Sequence, residues 1–272
     1  MPKYFDVHSH LNFTDYDKDL KNVIERLKTT DTWTIVVGTD LESSKRAVEL
    51  ARKHKEIYAC IGVHPVDEKM QAWQGDQFEE LVKDPKVVAV GECGFDFYHA
   101  EKSQDFERQT NLFLEQINLA VSNDKPLMIH ARDAYDELLS ILTPMKRDYG
   151  DRLRGNVHFF AADKEIAKKF IDLGFTLSFT GAITFLTDPK KKENAVGSSL
   201  YDEVIKYAPL NMILSETDAP LVAPVPYRGK RNEPSYVKEV VKRIAEIRKE
   251  DERFVEETLV QNAFRVFQIP EA

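Results

Sequence analysis

Short apolar segments alternate with longer segments of mixed polarity along most of the chain. Eight of the short segments are almost continuously apolar and rich in β-branched and aromatic residues, a pattern typical of parallel strands buried on both faces. They are residues 4–8, 33–38, 58–62, 87–92, 126–130, 156–160, 175–179 and 212–216. The pattern therefore predicts a parallel β-sheet of eight strands.

The segments between these strands carry apolar residues at helical spacing. One stripe consists of Phe106, Thr110, Phe113, Ile117 and Ala120. A second stripe follows Pro234, a residue favoured in a first helical turn, and consists of Val237, Val240, Val241, Ile244 and Ile247. Eight strands with helical connections predict an α/β fold, a single (β/α)₈ TIM barrel, regular or distorted, with a parallel sheet and outer helices. We expect one domain over residues 1–272.

Two features of this outline have alternatives. A doubly wound open sheet is the rival fold, but no G-x-G-x-x-G follows the first strand to indicate a dinucleotide site. Residues 187–199 are polar and include a run of lysines. They predict either a solvated loop or a mobile substrate loop after the seventh strand.

Composition narrows the class of protein. With 42% hydrophobic and 31% charged residues the chain is typical of globular proteins, which argues against disordered and collagen-like classes. No apolar run is long enough to span a membrane, and the first residues do not resemble a secretory signal. Cys60 and Cys93 do not form the pattern of a disulfide framework, so we expect a cytoplasmic protein. The net charge of −8 argues against a non-specific nucleic-acid coat protein, but it permits an enzyme with a locally positive cleft.

Histidines concentrate at the predicted strand ends. Five of the seven lie there, whereas random placement over the strand ends of such a barrel gives roughly 0.6. The five are His8, His10, His64, His130 and His158. Glu92 ends the fourth strand and Asp218 follows the eighth, while His54 and His99 lie in polar stretches and are assigned no role. Because strand ends of a barrel meet at one mouth, we expect these side chains to converge.

Such a convergence predicts a metal centre, although any one of these residues alone would fit a structural role. His8 and His10 are two residues apart, so both imidazoles face the same side of an extended strand. Buried carboxylates among imidazoles need compensating positive charge, which divalent ions supply. Six ligands exceed the three protein ligands of a mononuclear catalytic zinc and fit two ions with a bridging carboxylate. Mixed nitrogen and oxygen ligands favour Zn²⁺, Mn²⁺, Co²⁺ or Fe²⁺ over an all-oxygen Mg²⁺ site.

Ordered motifs along the chain resemble those of a known family. They are residues 6–11 (DVHSHL), 62–65 (GVHP), 91–96 (GECGFD), 130–134 (HARDA), 216–220 (ETDAP) and 223–234 (APVPYRGKRNEP). This set is similar to the TatD family of metal-dependent deoxyribonucleases, within the amidohydrolase-like TIM barrels. Residues 262–267 (NAFRVF) resemble the terminal helix of the family, so the resemblance covers nearly the whole chain.

The resemblance implies two divalent ions (Mg²⁺, Mn²⁺ or Zn²⁺) and six metal ligands, with Glu92 as the bridge. The six are His8, His10, Glu92, His130, His158 and Asp218. It also implies hydrolysis of DNA phosphodiesters, often from the 3′ end, on a single-stranded or end-containing substrate. Glu92 and Asp218 are the expected catalytic residues, and Asp218 is expected to accept the proton of the attacking water. The chain departs from the family at His158-Phe159-Phe160 and at Leu221-Val222, which concern the substrate pocket and remove no ligand.

Further residues are candidates for substrate binding. Arg132 lies two residues beyond His130, and its planar guanidinium suits bidentate phosphate binding. Tyr227, Arg228, Lys230 and Arg231 predict a basic, aromatic loop that holds a strand of DNA, or else a solvated charge run. His64 is expected to contact phosphate or to be structural, and Asp96 to orient a ligand histidine or to form a turn.

Two other functions fit the same ligands. A binuclear barrel of this kind can cleave an amide or an ester, such as the ester of an aminoacyl-tRNA. Alternatively, the ligands could serve a metal-binding protein without enzymatic activity. A requirement for the cations that are expected to hold phosphate would distinguish a nuclease from an amide or ester hydrolase. Catalytic cleavage of a substrate would distinguish it from a metal-binding protein without activity.

Overall fold

Eight parallel strands form one sheet in which neighbours follow the order of the chain. The computed structural model describes residues 1–66, 73–185 and 198–270. The strands are β1 (Tyr4–Ser9), β2 (Thr32–Val37), β3 (Ile57–Ile61), β4 (Val87–Asp96), β5 (Leu127–Arg132), β6 (Gly155–Val157), β7 (Phe175–Phe179) and β8 (Ile213–Ser215). Nearly all of their residues are buried, as expected for strands covered on both faces.

The sheet closes into a barrel at the carboxyl ends of its first and last strands. Ser9 and Ala219 form a parallel bridge there. The amide of His10 donates to the carbonyl of Ala219 at 2.7 Å, and the amide of Asp218 donates to the carbonyl of His8 at 2.9 Å. The predicted (β/α)₈ barrel is confirmed, and its closure brings His8, His10 and Asp218 to one rim.

Helices surround the barrel. In the described residues they are α1 (Leu20–Thr29), α2 (Leu41–Lys53), α3 (Gly75–Leu81), α4 (Lys102–Ser122), α5 (Tyr135–Tyr149), α6 (Lys164–Asp172), α7 (Ser198–Tyr207), α8 (Val237–Arg248) and α9 (Glu252–Val266). The larger apolar core lies between strands and helices. None of these helices combines the length and the apolar character that crossing a membrane requires.

A smaller apolar core fills the interior of the barrel and is covered by the last helix. Phe264 of α9 packs edge-on against Phe5 with ring centroids 5.8 Å apart, and it also contacts Trp33. The predicted terminal helix thus covers strand β1 away from its carboxyl end. The carboxyl ends of the strands are left as the place for a site.

Several predicted boundaries were wrong. Strand β4 continues to Asp96, four residues beyond its predicted end, and β8 is shorter than residues 212–216 by one residue at each end. Strand β6 ends at Val157 because Phe159 has a left-handed backbone (φ 45°), which turns the chain after His158. Of the polar segment 187–199, residues up to 197 lie outside the described residues, and the last two begin α7.

Helix α4 positions two strand ends through buried amides that the apolar pattern does not predict. Phe113 is buried as expected, whereas Phe106 is 39% exposed. Gln116 accepts a hydrogen bond from the amide of Val63 at 2.8 Å and donates to its carbonyl at 2.9 Å. Gln109, two turns earlier, makes the same pair of bonds with the backbone of Asp96 at 2.9 and 3.1 Å. The ends of β3 and β4 are thereby fixed.

Candidate metal centre

The first group of candidate ligands comes from the end of β1. The Nε2 atoms of His8 and His10 lie 3.2 Å apart. Glu92 Oε2 lies 3.6 Å from His8 Nε2 and 3.8 Å from His10 Nε2. The Nδ1 atom of His10 lies 3.0 Å from the carbonyl of Val37. Because a carbonyl only accepts, Nδ1 carries the proton and the lone pair of Nε2 faces Glu92.

The second group faces the other oxygen of the same carboxylate. His130 Nδ1 lies 2.8 Å from Glu92 Oε1, and His158 Nε2 lies 2.9 Å from it. The two imidazole nitrogens are 3.2 Å apart. Each oxygen of Glu92 therefore serves one pair of histidines, which is the arrangement of a bridging carboxylate.

Asp218 completes the first group. Its Oδ1 atom lies 3.5 Å from His10 Nε2 and 3.9 Å from His8 Nε2. Its backbone is left-handed (φ 55°), a conformation that aspartate and asparagine tolerate better than most residues. The structure thus brings together all six residues that the sequence nominated as metal ligands.

The donor atoms have the spacing that a divalent ion requires. Two ligands on one tetrahedral zinc are about 3.3–3.5 Å apart, given metal–ligand distances near 2.1 Å. The Nε2 atoms of His8 and His10 lie 3.2 Å from each other and 3.5–3.9 Å from the nearest oxygens of Glu92 and Asp218, and most of these distances are too long for hydrogen bonds. Glu92 is 4% exposed and Asp218 is 6% exposed, so their charges need compensation within the protein. These residues fit divalent metal ions.

Both carboxylates are held in the ionised form. Burial alone would raise the pKa of Glu92, but the surrounding His158 and His64 imidazoles and the contact with His130 hold that pKa well below its ordinary range. Burial likewise opposes ionisation of Asp218, whereas His10 and His8 lower its pKa. The centre therefore offers two negative charges to a cation.

Asp96 orients His130 and also holds a histidine that the sequence analysis assigned no role. Asp96 Oδ2 lies 3.2 Å from His130 Nε2 and 2.8 Å from His99 Nδ1. These contacts outweigh burial and lower the pKa of Asp96. An ionised carboxylate at Nε2 leaves Nδ1 of His130 free to act as a ligand, which agrees with the prediction that Asp96 orients a ligand histidine. The signal for His99 was its position three residues after Asp96.

Glu216, in the sequence motif 216–220, places its charge near His158 without a hydrogen bond between the two side chains. It is fully buried, and its two oxygens accept hydrogen bonds of 2.6 Å from the amide of Phe159 and the hydroxyl of Ser178. Glu216 Oε1 lies 3.7 Å from His158 Nδ1. Burial opposes protonation of His158, but the charges of Glu92 and Glu216 raise its pKa well above the ordinary value.

We expect Glu216→Gln to weaken metal binding by roughly 10- to 100-fold, the usual effect of removing a carboxylate behind a ligand histidine. The variant keeps the size of the side chain but removes the charge that faces His158. Competition with a chelating dye measures the affinity. Glu56→Gln is the control because Glu56 is also buried but precedes β3, at the opposite end of a strand. If Glu216→Gln and Glu56→Gln bind metal with equal affinity, Glu216 does not support metal binding through His158, and its role is only to hold the backbone of Phe159.

The substrate candidates nearest the centre are His64 and Arg132. His64 Nε2 lies 3.5 Å from Glu92 Oε1, and the His64 ring packs against His130 with centroids 4.4 Å apart. Burial and the neighbouring His130 lower the pKa of His64 to about 3. Arg132 ends β5, and its guanidinium carbon lies 4.2 Å from the ring centroid of Tyr98. His64 is thus a neutral hydrogen-bonding group, whereas Arg132 supplies charge.

The arginines of the basic loop after β8 contact different kinds of partner. The guanidinium of Arg228 lies 4.1 Å from the ring centroid of Phe185. Arg231, by contrast, donates two hydrogen bonds of 2.7 Å to the carboxylate of Asp19. The loop is therefore partly tied to the start of α1, and Arg231 has less freedom to bind substrate than the sequence suggested.

Of two other candidates in that loop, Lys230 is exposed and Tyr227 is half-buried. Tyr227 stacks on Tyr236 with ring centroids 3.7 Å apart and an interplanar angle of 5°. Lys230 lines an open cavity together with Lys18 and Arg26. Aromatic rings and cations thus lie side by side near the strand-end rim.

Comparison with known proteins identifies relatives of this architecture. The family model described as "TatD related DNase" matches residues 5–268. The chain is 39% identical to the uncharacterized metal-dependent hydrolase YabD of Bacillus subtilis, over 97% of this chain and 99% of that protein. It is 31% identical to the uncharacterized metal-dependent hydrolase YcfH of Escherichia coli K12, over 97% of this chain and 95% of that protein.

A solved structure agrees with these relatives. The crystal structure of YjjV, a TatD homologue from Escherichia coli K12, has a TM-score of 0.86 and 29% identity, and the match covers 98% of this chain and 99% of that one. The family match covers all eight strands except Tyr4 at the start of β1, and it includes the six clustered candidate ligands. The chain therefore belongs to the TatD family of metal-dependent hydrolases.

Proposed function

We propose that this protein hydrolyses DNA phosphodiester bonds, removing nucleotides from the 3′ end of a single strand with two divalent ions (Mg²⁺, Mn²⁺ or Zn²⁺). The observation that carries the proposal is a pair of guanidinium groups, those of Arg132 at the end of β5 and of Arg228 in the loop after β8. Each rests on an aromatic ring, and neither pairs with an acidic side chain in the parts of the chain that the structure describes. Unpaired, planar cations of this kind bind phosphate.

The side chains of the centre divide the reaction between them. Divalent ions held by these residues would act as Lewis acids toward the phosphodiester and would lower the pKa of water to near neutrality. Asp218, ionised and at the edge of the ligand cluster, accepts the proton of the attacking water. As oxygen bonds to phosphorus, the bond to the 3′ oxygen breaks, and that oxygen takes up a proton. Arg132 and Arg228 hold the phosphate oxygens, and Glu92 keeps the two halves of the site together.

The side chains around the metal centre support a single-stranded substrate. Exposed aromatic rings beside cations suit splayed bases and a flexible backbone, and base stacking on such rings is tolerant of sequence. Tyr227, stacked on Tyr236, and Lys230 extend this chemistry away from the centre.

The cysteines support a location in the cytoplasm. Cys60 and Cys93 are both free and buried, as suits a reducing compartment.

Cleavage of labelled oligonucleotides tests the proposal. Single strands labelled at the 3′ or the 5′ end are incubated with Mg²⁺ or Mn²⁺, with and without a chelator. We expect mononucleotides to be released from the 3′ end and release to stop with the chelator. Arg132→Ala and Arg228→Ala are each expected to lower kcat/KM for DNA by roughly 10- to 100-fold, the loss of a charge-assisted phosphate contact.

The matched control is Arg253→Ala, because Arg253 pairs with Glu257 on the surface of α9. A small amide or ester without phosphate serves as the second substrate. If both arginine variants cleave DNA like the unmodified protein, the phosphate assignment is wrong. If the folded, metal-loaded protein hydrolyses the amide or ester but no phosphodiester, the function is that of an amidohydrolase.

A further inference from the structure

Tyr98 is an exposed aromatic residue on the loop that follows β4. Its side chain is 63% exposed, more than any other tyrosine or phenylalanine in the described ranges. The loop is fixed to the metal centre, because the amide of Tyr98 donates a 3.0 Å hydrogen bond to Asp96 Oδ1, and Asp96 Oδ2 contacts His130.

The ring of Tyr98 is held in place by two neighbours. The guanidinium of Arg132 covers one face, 4.2 Å from the ring centroid. The His99 ring meets it edge-on, with centroids 4.9 Å apart and an interplanar angle of 84°. His99 is itself fixed by Asp96, and Arg132 by the hydrogen bond from the amide of Phe97 to its carbonyl at 2.9 Å. The ring is thus ordered while much of it faces solvent.

This combination matches the chemistry of a nucleotide. An ordered aromatic face stacks a base with little loss of conformational freedom, and the stack accepts any base because each has a π-face. A guanidinium against the ring provides positive charge for a phosphate of the same strand. A phosphate alone would use Arg132 but would leave the ring of Tyr98 without a role.

We propose that Tyr98 and Arg132 form a nucleotide subsite, in which a base next to the scissile phosphate stacks on Tyr98 while Arg132 binds a phosphate oxygen. This inference rests on the proposed function and adds a requirement for a base beside the cleaved bond. Tyr98 binds and positions substrate but takes no part in proton transfer. The subsite therefore contributes to substrate affinity more than to the chemical step.

Substrates with a missing base test the subsite. Oligonucleotides carry one abasic residue immediately 5′ or 3′ of the scissile phosphate, and each is compared with normal DNA. We expect Tyr98→Ala to lower kcat/KM on normal DNA by roughly tenfold, mainly through KM, as expected for the loss of one base stack. On one of the two abasic substrates the unmodified protein should show a similarly lowered kcat/KM relative to normal DNA. On that substrate Tyr98→Ala should lower kcat/KM no further. Tyr98→Phe should retain activity.

Tyr207→Ala is the control, since Tyr207 is also exposed and lies beneath the ammonium of Lys164 on an outer helix. Tyr98→Ala with normal kcat/KM on normal DNA would overturn the subsite and leave the proposed function intact. An equal loss on normal DNA and on both abasic substrates would also overturn it, because the ring would then only support Arg132. An unmodified protein that cleaves no phosphodiester would overturn the proposed function together with the subsite.

Discussion

Replacing Glu92 by Gln is expected to remove most of the bound metal and to lower the rate of phosphodiester hydrolysis by on the order of 10³-fold or more. Glu92 Oε2 faces His8 and His10, whereas Oε1 faces His130 and His158. Glutamine keeps only one oxygen, and its amide nitrogen is no ligand. One histidine pair therefore loses its oxygen partner, the other pair faces an uncharged oxygen, and the site loses one of its two buried negative charges.

Elemental analysis of protein purified without chelator, together with cleavage of labelled DNA, measures both effects. The substitution preserves side-chain size, so far-UV circular dichroism should be unchanged. Glu56→Gln serves as the control, because it makes the same change at a buried glutamate before β3. Unchanged metal content in Glu92→Gln would refute the bridging role, whatever the effect on rate.

The barrel and the ligand set are predictable from sequence for one physical reason. Parallel strands buried on both faces need nearly continuous apolar runs, so a polar residue that ends such a run is conspicuous. His8, His10 and Glu92 stand out in this way, and the closure of the barrel forces strand ends together. Their convergence follows from topology and needs no knowledge of side-chain conformations.

The supporting residues are hidden from that reasoning because they depend on local backbone geometry. His158 meets Glu216 only because β6 stops at Val157 and Phe159 turns the chain with a positive φ of 45°. His99 reaches Asp96 through a turn after β4. Apolar periodicity carries no information about either contact.

The basic loop shows a second kind of limit. Arg231 reads as a free cation beside Tyr227, but its partner Asp19 lies 212 residues earlier in the chain. Arg228, three residues before it, has no such partner in the described residues and instead rests on Phe185. The sequence predicts the same role for both arginines. Only the packing of the loop against the start of α1 shows that their partners differ.

Asp218→Asn is expected to lower kcat for DNA by roughly 10²- to 10⁴-fold, the usual contribution of a general base. Asp218 is 6% exposed, and its Oδ1 atom lies 3.5 Å from His10 Nε2. Asparagine matches aspartate in size and tolerates the left-handed backbone (φ 55°). The hydrogen bond from the backbone N–H of residue 218 to the carbonyl of His8 is therefore expected to persist. The carboxamide, however, accepts no proton at neutral pH.

Metal analysis and steady-state kinetics separate this loss from a loss of ligands. Because Glu92, His130 and His158 are untouched, we expect metal to persist at that group and kcat to fall more than KM rises. Asp31→Asn is the matched control, since Asp31 has a similar left-handed backbone (φ 48°) just before β2. A fall in kcat of less than tenfold at full metal content would exclude Asp218 as the proton acceptor.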